Sequence, residues 1–87
     1  MTYQVQIKRS ALKALNSLDK PVRRRLWARI RALANDPRPP GAKALREPSK
    51  GHYRLRVRDY RILYTVEDDR LLVLVVRVGE RERVHRE

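Results

Sequence analysis

Residues 53–64 read YRLRVRDYRILY, and this segment contains the clearest strand pattern in the sequence. Basic and apolar residues alternate at a period of two on both sides of the dipeptide Arg58-Asp59. The alternation predicts two half-buried strands joined by a two-residue loop. Such a loop would place Arg56 directly opposite Arg61 on one face of the sheet. Because like charges in that position destabilise a sheet, the pattern indicates that this face holds something anionic.

Two helices are predicted in the first half of the chain. Ser10 is expected to cap a short helix, and Asp19 to cap a longer helix over residues 20–35. Apolar residues recur at helical spacing in the second helix and predict its buried stripe. The stripe consists of Val22, Leu26, Ile30 and Leu33. Trp27 lies beside the stripe, and we expect it in the core or as a knob that faces a partner.

Strands are predicted at residues 3–7, 53–57, 60–66 and 71–78. The last of these is almost wholly aliphatic, which is typical of an interior strand covered on both faces. The loop between the helices and the hairpin is rich in Pro, Lys and Gly, and one turn of helix is expected around residues 42–46. The order βααβββ predicts a single α+β domain over residues 1–87. In this fold a helical hairpin packs on a mostly antiparallel four-stranded sheet.

The formal net charge is +12, and it is distributed unevenly. Residues 1–50 hold 13 Lys and Arg against 3 Asp and Glu, so most of the positive charge falls on the predicted helices. Such a field favours nucleic acid, an anionic membrane or an acidic protein as partner. The helices lack the bulky aromatic face of an interfacial helix, which argues against the membrane.

Cysteine is absent from the sequence, which excludes disulfides and thiolate metal sites. The first residues, MTYQVQIKR, contain no apolar segment typical of a signal peptide. Together these two features predict a cytoplasmic protein.

The sequence contains no glycine-rich phosphate loop, no Cys/His metal spacing and no Ser/His/Asp set. An enzyme with this sequence would therefore act mainly through cations, and phosphodiester cleavage is the reaction that suits them. A guanidinium binds phosphate oxygens in a bidentate manner and stabilises the charge that develops on phosphorus. From pattern alone, an ordinary solvated sheet face is the favoured explanation of the same arginines.

The segments GHYRLRVRDYRILYTVEDD and LLVLVVRVGERERV resemble the RelE/ParE toxin superfamily of toxin–antitoxin systems, and its RelE branch in particular. The stretch 43–46, KALR, is similar to the family's K-x-L segment before the hairpin. The resemblance implies a toxin that cuts mRNA in the ribosomal decoding site. In that chemistry the 2′-hydroxyl attacks the phosphorus and leaves a 2′,3′-cyclic phosphate and a 5′-hydroxyl, without a metal or other cofactor.

The resemblance also implies which residues form the site. Arg56 and Arg61 would hold the phosphate, and Arg81, after Val-Gly, would lie at the leaving oxygen. The residues implied to bind RNA are Lys43, Arg46, Arg54 and Arg58. The basic strand carries arginines where many members have lysines, and His85 stands where members commonly have tyrosine. Arginine is a very poor base because its pKa exceeds about 12, so His85, with a reference pKa of about 6.5, is expected to take the proton.

The family further implies two partners and leaves two alternatives. The partners are a cognate RelB-like antitoxin and the ribosome with mRNA in its A site. Operator DNA would be contacted only indirectly, through the antitoxin complex, and no membrane is expected. The first alternative is a ParE-like toxin that inhibits DNA gyrase, in which the arginines are only a surface. The second is a basic RNA-binding module without catalysis.

Overall fold

The computed structural model describes residues 2–45 and 51–80, which form an α+β unit. In chain order the elements are β1 (Gln4–Ile7), α1 (Arg9–Asn16), α2 (Lys20–Ala32), β2 (Ala42–Ala44), β3 (His52–Val57), β4 (Tyr60–Glu67), a 3-10 turn (Asp68–Arg70) and β5 (Leu72–Glu80). The sheet order is β1-β5-β4-β3-β2. β1 runs parallel to β5, and the other neighbours are antiparallel. The predicted fold class is confirmed.

The β3–β4 hairpin has the predicted register. Val57 pairs with Tyr60 and Arg56 pairs with Arg61 across the two-residue loop. Apolar residues of both strands point to the helices and form the centre of the core. Leu55 and Ile62 are 1% and 0% exposed. Their burial stabilises the hairpin by about 1.5–3 kcal/mol per side chain relative to exposure.

The helices cover one face of the sheet. α1 buries Ala11 and Leu15, and α2 buries Leu26 and Ile30, as the apolar spacing predicted. Their partners in the core are the apolar residues of β3, β4 and β5. The opposite face of the sheet is therefore left outside this helical layer.

The predicted helix ends were partly wrong. α1 begins at Arg9, because the N–H of Lys8 still donates to the carbonyl of Val75 and so fixes where the strand stops. Ser10 thus lies in the first turn and is not the cap. Asp19 does occupy the N-cap of α2, although its side chain makes no capping hydrogen bond. α2 ends at Ala32, since the next residues close tighter turns of the i→i−3 type through residue 35.

The turn of helix expected around residues 42–46 is wrong. Ala42–Ala44 forms the edge strand β2, antiparallel to β3, so the sheet has five strands rather than four. Gly41 adopts a φ of +95°, which a helix start could not use, and the chain leaves it extended. Pairing with β3 then outweighs the helix propensity of the two alanines.

β5 occupies an interior position, as its aliphatic sequence predicted, between β1 and β4. It begins at Leu72 because Leu71 has a left-handed φ of +48° and closes the preceding turn. No helix within residues 2–45 and 51–80 combines the length and apolar character needed to cross a bilayer.

Candidate nucleic-acid interface

Five basic residues lie on the outer face of the sheet, away from the helices. Residues paired across neighbouring strands point to the same face, as do residues two apart along one strand. The register pairs Lys43 with Arg54, Arg54 with Leu63 and Leu63 with Arg77 in one row. The next row pairs Arg56 with Arg61 and Arg61 with Gly79. We call this set the basic face: Lys43, Arg54, Arg56, Arg61 and Arg77.

The members of the basic face differ in exposure. Lys43, Arg56 and Arg77 are exposed, and Arg54 is half-buried. Arg61 is only 2% exposed, although it lies directly opposite Arg56. Gly79, on the other side of Arg61, presents no side chain to this row. The row therefore offers one accessible guanidinium, that of Arg56, beside the nearly buried Arg61.

Arg54 and Arg56 form no ion pair with another described residue, whereas Arg38 and Arg70 pair with Asp68 and Glu67. Within residues 2–45 and 51–80, no carboxylate neutralises the positive charge of Arg54 and Arg56. Since like charges opposite each other are unfavourable in a sheet, an anion on this face would relieve the repulsion. A phosphate group, with its several oxygens, matches planar guanidinium donors well.

Arg77 reaches the basic face because β5 carries a β-bulge. Leu63 pairs with Arg77, whereas the next residue of β4 pairs with Val75, so Val76 is the extra residue. Strict alternation after the buried Val75 would point Arg77 into the core. The bulge shifts the in-and-out alternation of the side chains by one residue. Arg77 therefore lies on the outer face and Val78 in the core. Arg77 was not among the predicted site residues; its only signal in the sequence is a single charge inside an aliphatic run.

Arg58 lies at the tip of the hairpin rather than on the basic face. It is exposed and has a φ of +56°, in the left-handed region. For a residue with a Cβ this conformation costs roughly 1–2 kcal/mol. Asn or Gly would be the ordinary choice in a two-residue hairpin loop. The tip therefore carries a guanidinium despite the conformational free energy that the left-handed backbone costs.

A second polar cluster, not predicted from sequence, lies at the opposite end of the hairpin. The Arg38 guanidinium donates two hydrogen bonds to the Asp68 carboxylate, at 3.1 and 2.7 Å, and a third to the Tyr53 hydroxyl at 2.8 Å. The Tyr3 hydroxyl donates to Asp68 at 2.6 Å. The cluster joins the segment before β2 to the turn before β5. Because Asp68 engages Arg38 directly, this arginine is not equivalent to those of the basic face.

These contacts change the proton affinities within the cluster. Hydrogen bonds from Arg38 and Tyr3 lower the pKa of Asp68, and the same contact with Asp68 raises the pKa of Arg38 and of Tyr3. Nearby, burial raises the pKa of Tyr64 to about 12, and its hydroxyl donates to the carbonyl of Pro37 at 2.7 Å. None of these shifts places a proton-accepting group near neutral pH.

Three predicted site residues lie outside the described residues: Arg46, Arg81 and His85. Their contribution to the site stays a prediction. Within residues 2–45 and 51–80, no three side chains among His, Cys, Asp and Glu lie together as a possible metal site. The described part of the interface thus consists of cations on a sheet face.

Comparisons with known proteins agree with this architecture. Residues 5–85 match the family model of the ParE toxin of the type II toxin–antitoxin system, parDE. A putative RelE-like toxin protein from Escherichia coli is 34% identical over 83 residues, which cover 95% of this chain and 87% of that protein. The mRNA interferase toxin RelE of Escherichia coli K12 is 32% identical, with the same coverage.

Among solved structures, the archaeal RelE–RelB complex from Pyrococcus horikoshii OT3 contains a similar chain. It superimposes with a TM-score of 0.80 and 31% identity, covering 95% of this chain and 99% of that one. The matching family model is that of ParE toxins, whereas the relatives and the solved structure are RelE toxins. The chain therefore belongs to the RelE/ParE superfamily of toxins of type II toxin–antitoxin systems, on its RelE branch.

Proposed function

We propose that this RelE-type toxin cleaves mRNA on the ribosome, with the basic face as the surface that holds the scissile phosphate. The observation that carries the proposal is the row formed by Arg56, Arg61 and Gly79. It places the exposed guanidinium of Arg56 beside the nearly buried Arg61, and Gly79 adds no side chain on the far side of Arg61. The relative named an mRNA interferase supports the choice of substrate.

In the proposed reaction the 2′-oxygen bonds to phosphorus while the bond from phosphorus to the 5′-oxygen breaks. Arg56 contacts the phosphate oxygens, and the neighbouring Arg61 adds to the positive field. This stabilises the charge that develops on phosphorus. His85 takes the proton from the 2′-hydroxyl, Arg81 stabilises the 5′-oxygen, and water returns a proton to it. The products are a 2′,3′-cyclic phosphate and a 5′-hydroxyl.

A RelB-like antitoxin is the proposed partner in the resting state. The similar archaeal chain was solved as a RelE–RelB complex, and the net charge of +12 suits an acidic or amphipathic segment. Binding across the basic face would neutralise Lys43, Arg54 and Arg56 and block access of RNA. The toxin would then act only when the antitoxin is removed.

Gyrase inhibition is the alternative function, and one observation favours it: the family model that matches is that of ParE toxins. On this alternative the basic face has no substrate. Removal of Arg56 would then leave toxicity unchanged. This alternative is weaker because it gives no role to the row of Arg56, Arg61 and Gly79.

The decisive experiment incubates the purified chain with ribosomes programmed with a defined mRNA and maps the new 3′ ends. We expect cleavage that requires ribosomes and leaves 2′,3′-cyclic phosphate ends. Lys13→Ala, which removes one exposed charge from α1, is the matched control for Arg56→Ala. Binding without any product would indicate the non-catalytic module instead. Loss of DNA supercoiling by gyrase in a parallel assay, again without cleavage, would indicate the ParE-like function.

A further inference from the structure

The outward side of α2 carries a basic stripe interrupted by one aromatic residue. Lys20, Arg24, Trp27 and Arg31 follow one another at spacings of four, three and four, which aligns them along one side of a helix. The helix sequence, KPVRRRLWARIRA, contains six Lys and Arg and no Asp or Glu. Its buried residues, Leu26 and Ile30, belong to the core side. The stripe is therefore a concentrated positive surface separate from the sheet.

Trp27 lies between this basic surface and the hydrophobic core. The ring is half-buried, with part of it packed against the hydrophobic core, and the Arg31 guanidinium lies over the ring at 6.0 Å from its centroid. Around it, Arg24, Trp27 and Arg31 line an open concavity of about 420 Å³. This is more than ten times the roughly 30 Å³ that a water molecule occupies in the liquid. The concavity has room for a planar ring against the indole or the guanidinium.

An aromatic ring between two guanidiniums fits one kind of ligand better than others. Unpaired bases stack on tryptophan and on guanidinium planes, while the adjoining phosphates bind arginine. An acidic peptide would match the charge but offers no planar ring for Trp27. A membrane surface would require several large apolar residues on this side of the helix, and the stripe contains one.

We propose that the α2 stripe binds an unpaired RNA nucleotide, with its base stacked at Trp27 and its flanking phosphates held by Arg24 and Arg31. The basic face lies on the other side of the sheet, so one nucleotide cannot occupy both sites. The inference thus goes beyond the proposed cleavage and does not depend on it. A chain that cuts no RNA would still bind through α2.

Trp27 is the only tryptophan in the sequence, so its fluorescence reports directly on this site. We expect saturable quenching when single-stranded oligoadenylate is added. Duplex RNA of the same length, whose bases are paired, should quench much less. Inorganic polyphosphate and octaglutamate carry comparable charge without bases and should leave the emission nearly unchanged. An equal response to polyphosphate would reduce the site to electrostatics, and an equal response to octaglutamate would assign it to an acidic protein segment; either result overturns the proposal.

Substitutions locate the binding within the helix. Arg31→Ala should weaken the quenching interaction, whereas Arg29→Ala, two residues away and on the opposite side of the helix, is the matched control. Measured with a labelled oligoadenylate, Trp27→Leu should lower affinity roughly five- to 150-fold, the range of a single stacking contact, and Trp27→Phe should lose less. Circular dichroism checks that each variant is folded. Arg70→Ala removes one exposed charge outside α2, in the turn before β5, and should retain full quenching; if it lowers quenching as much as Arg31→Ala does, the effect is one of net charge and the inference fails.

Discussion

The two faces of the β3–β4 hairpin are formed by alternate residues of the same two strands, yet the inner face is apolar and the outer face is basic. The inner face carries Leu55 and Ile62, both almost fully buried under the helices. The outer face carries Arg54 and Arg56, and it places Arg56 against Arg61. A face selected only for stability would not pair two arginines. The apolar core contacts are thus concentrated on the inner side of the hairpin, and the outer side is the one that we propose binds an anion.

Ile62→Ala should give the largest effect and should affect stability. Ile62 is 0% exposed in the centre of the core, and truncating such a residue costs about 2–5 kcal/mol. Urea unfolding followed by circular dichroism measures the change. Ile62→Val is the graded control, with an expected cost of about 0.5–1.5 kcal/mol. A loss below 1 kcal/mol for Ile62→Ala would contradict the assignment of this face to the core.

Arg56→Ala, on the outer face, should affect RNA cleavage rather than stability. We expect mRNA cleavage to slow by a factor of about 100 or more, the usual effect of losing one group that stabilises transition-state charge. Stability should stay the same or rise slightly, because the repulsion with Arg61 disappears. Single-turnover cleavage and urea unfolding are measured on the same preparation. Cleavage at the wild-type rate with Arg56→Ala would mean that the outer face does not hold the scissile phosphate.

Arg77→Ala tests whether the bulge in β5 extends the outer face. We expect affinity for single-stranded RNA to fall several-fold, and the slope of log affinity against log salt to decrease by about 0.7, which corresponds to one phosphate contact. Arg70→Ala removes an equal charge from the turn before β5 and is the control. If the two variants change the slope equally, the effect is one of net charge rather than of position.

The sequence predicted those parts of the molecule that depend on local periodicity. The alternation around Arg58-Asp59 was sufficient for the hairpin and its register, and the spacing of Leu26 and Ile30 for the buried side of α2. The position of Arg77 was not predictable, because a bulge at Val76 depends on pairing with β4 and changes no residue type. Tertiary contacts decide to which face of the sheet a side chain next to a bulge points.

Two other features depended on contacts far apart in sequence. Edge strand β2 forms because β3 offers a free side to residues that otherwise favour helix. The cluster of Arg38, Asp68 and Tyr3 joins residues separated by 30 and 65 positions. Periodicity within a window contains no information on such pairs. The resemblance to the toxin family supplied residues for the site, but the burial of Arg61 became evident only from the packed sheet.

Arg58→Asn tests the tip of the hairpin, where β3 and β4 meet. Asn tolerates the left-handed conformation better than Arg, so we expect the free energy of unfolding to increase by up to about 1 kcal/mol. Arg58→Gln removes the same charge but retains the strain, and should give little or no gain. If both variants stabilise the protein equally, charge repulsion rather than the backbone explains the effect. A gain for Arg58→Asn accompanied by weaker RNA binding would indicate that the strained arginine is retained for function.

The smallest expected effect concerns the Arg38–Asp68 cluster, where arginine has a carboxylate partner. The pKa of Asp68 is lowered in the folded protein by hydrogen bonds from Arg38 and Tyr3. A carboxyl group with a lowered pKa stabilises the fold fully above its ordinary pKa of about 3.9, and this contribution disappears as pH falls through the folded value.

Asp68→Asn should therefore flatten the decline in unfolding free energy below about pH 4, and Arg38→Gln should flatten it similarly. The pair is largely exposed, with side chains 42% and 58% accessible, so solvent screening keeps the change small. Asp69→Asn, one residue along, is the control and should retain the wild-type slope. If Asp69→Asn flattens the curve as much as Asp68→Asn, the acid sensitivity comes from net charge. The contact between Arg38 and Asp68 would then make no specific contribution to the pH dependence of stability.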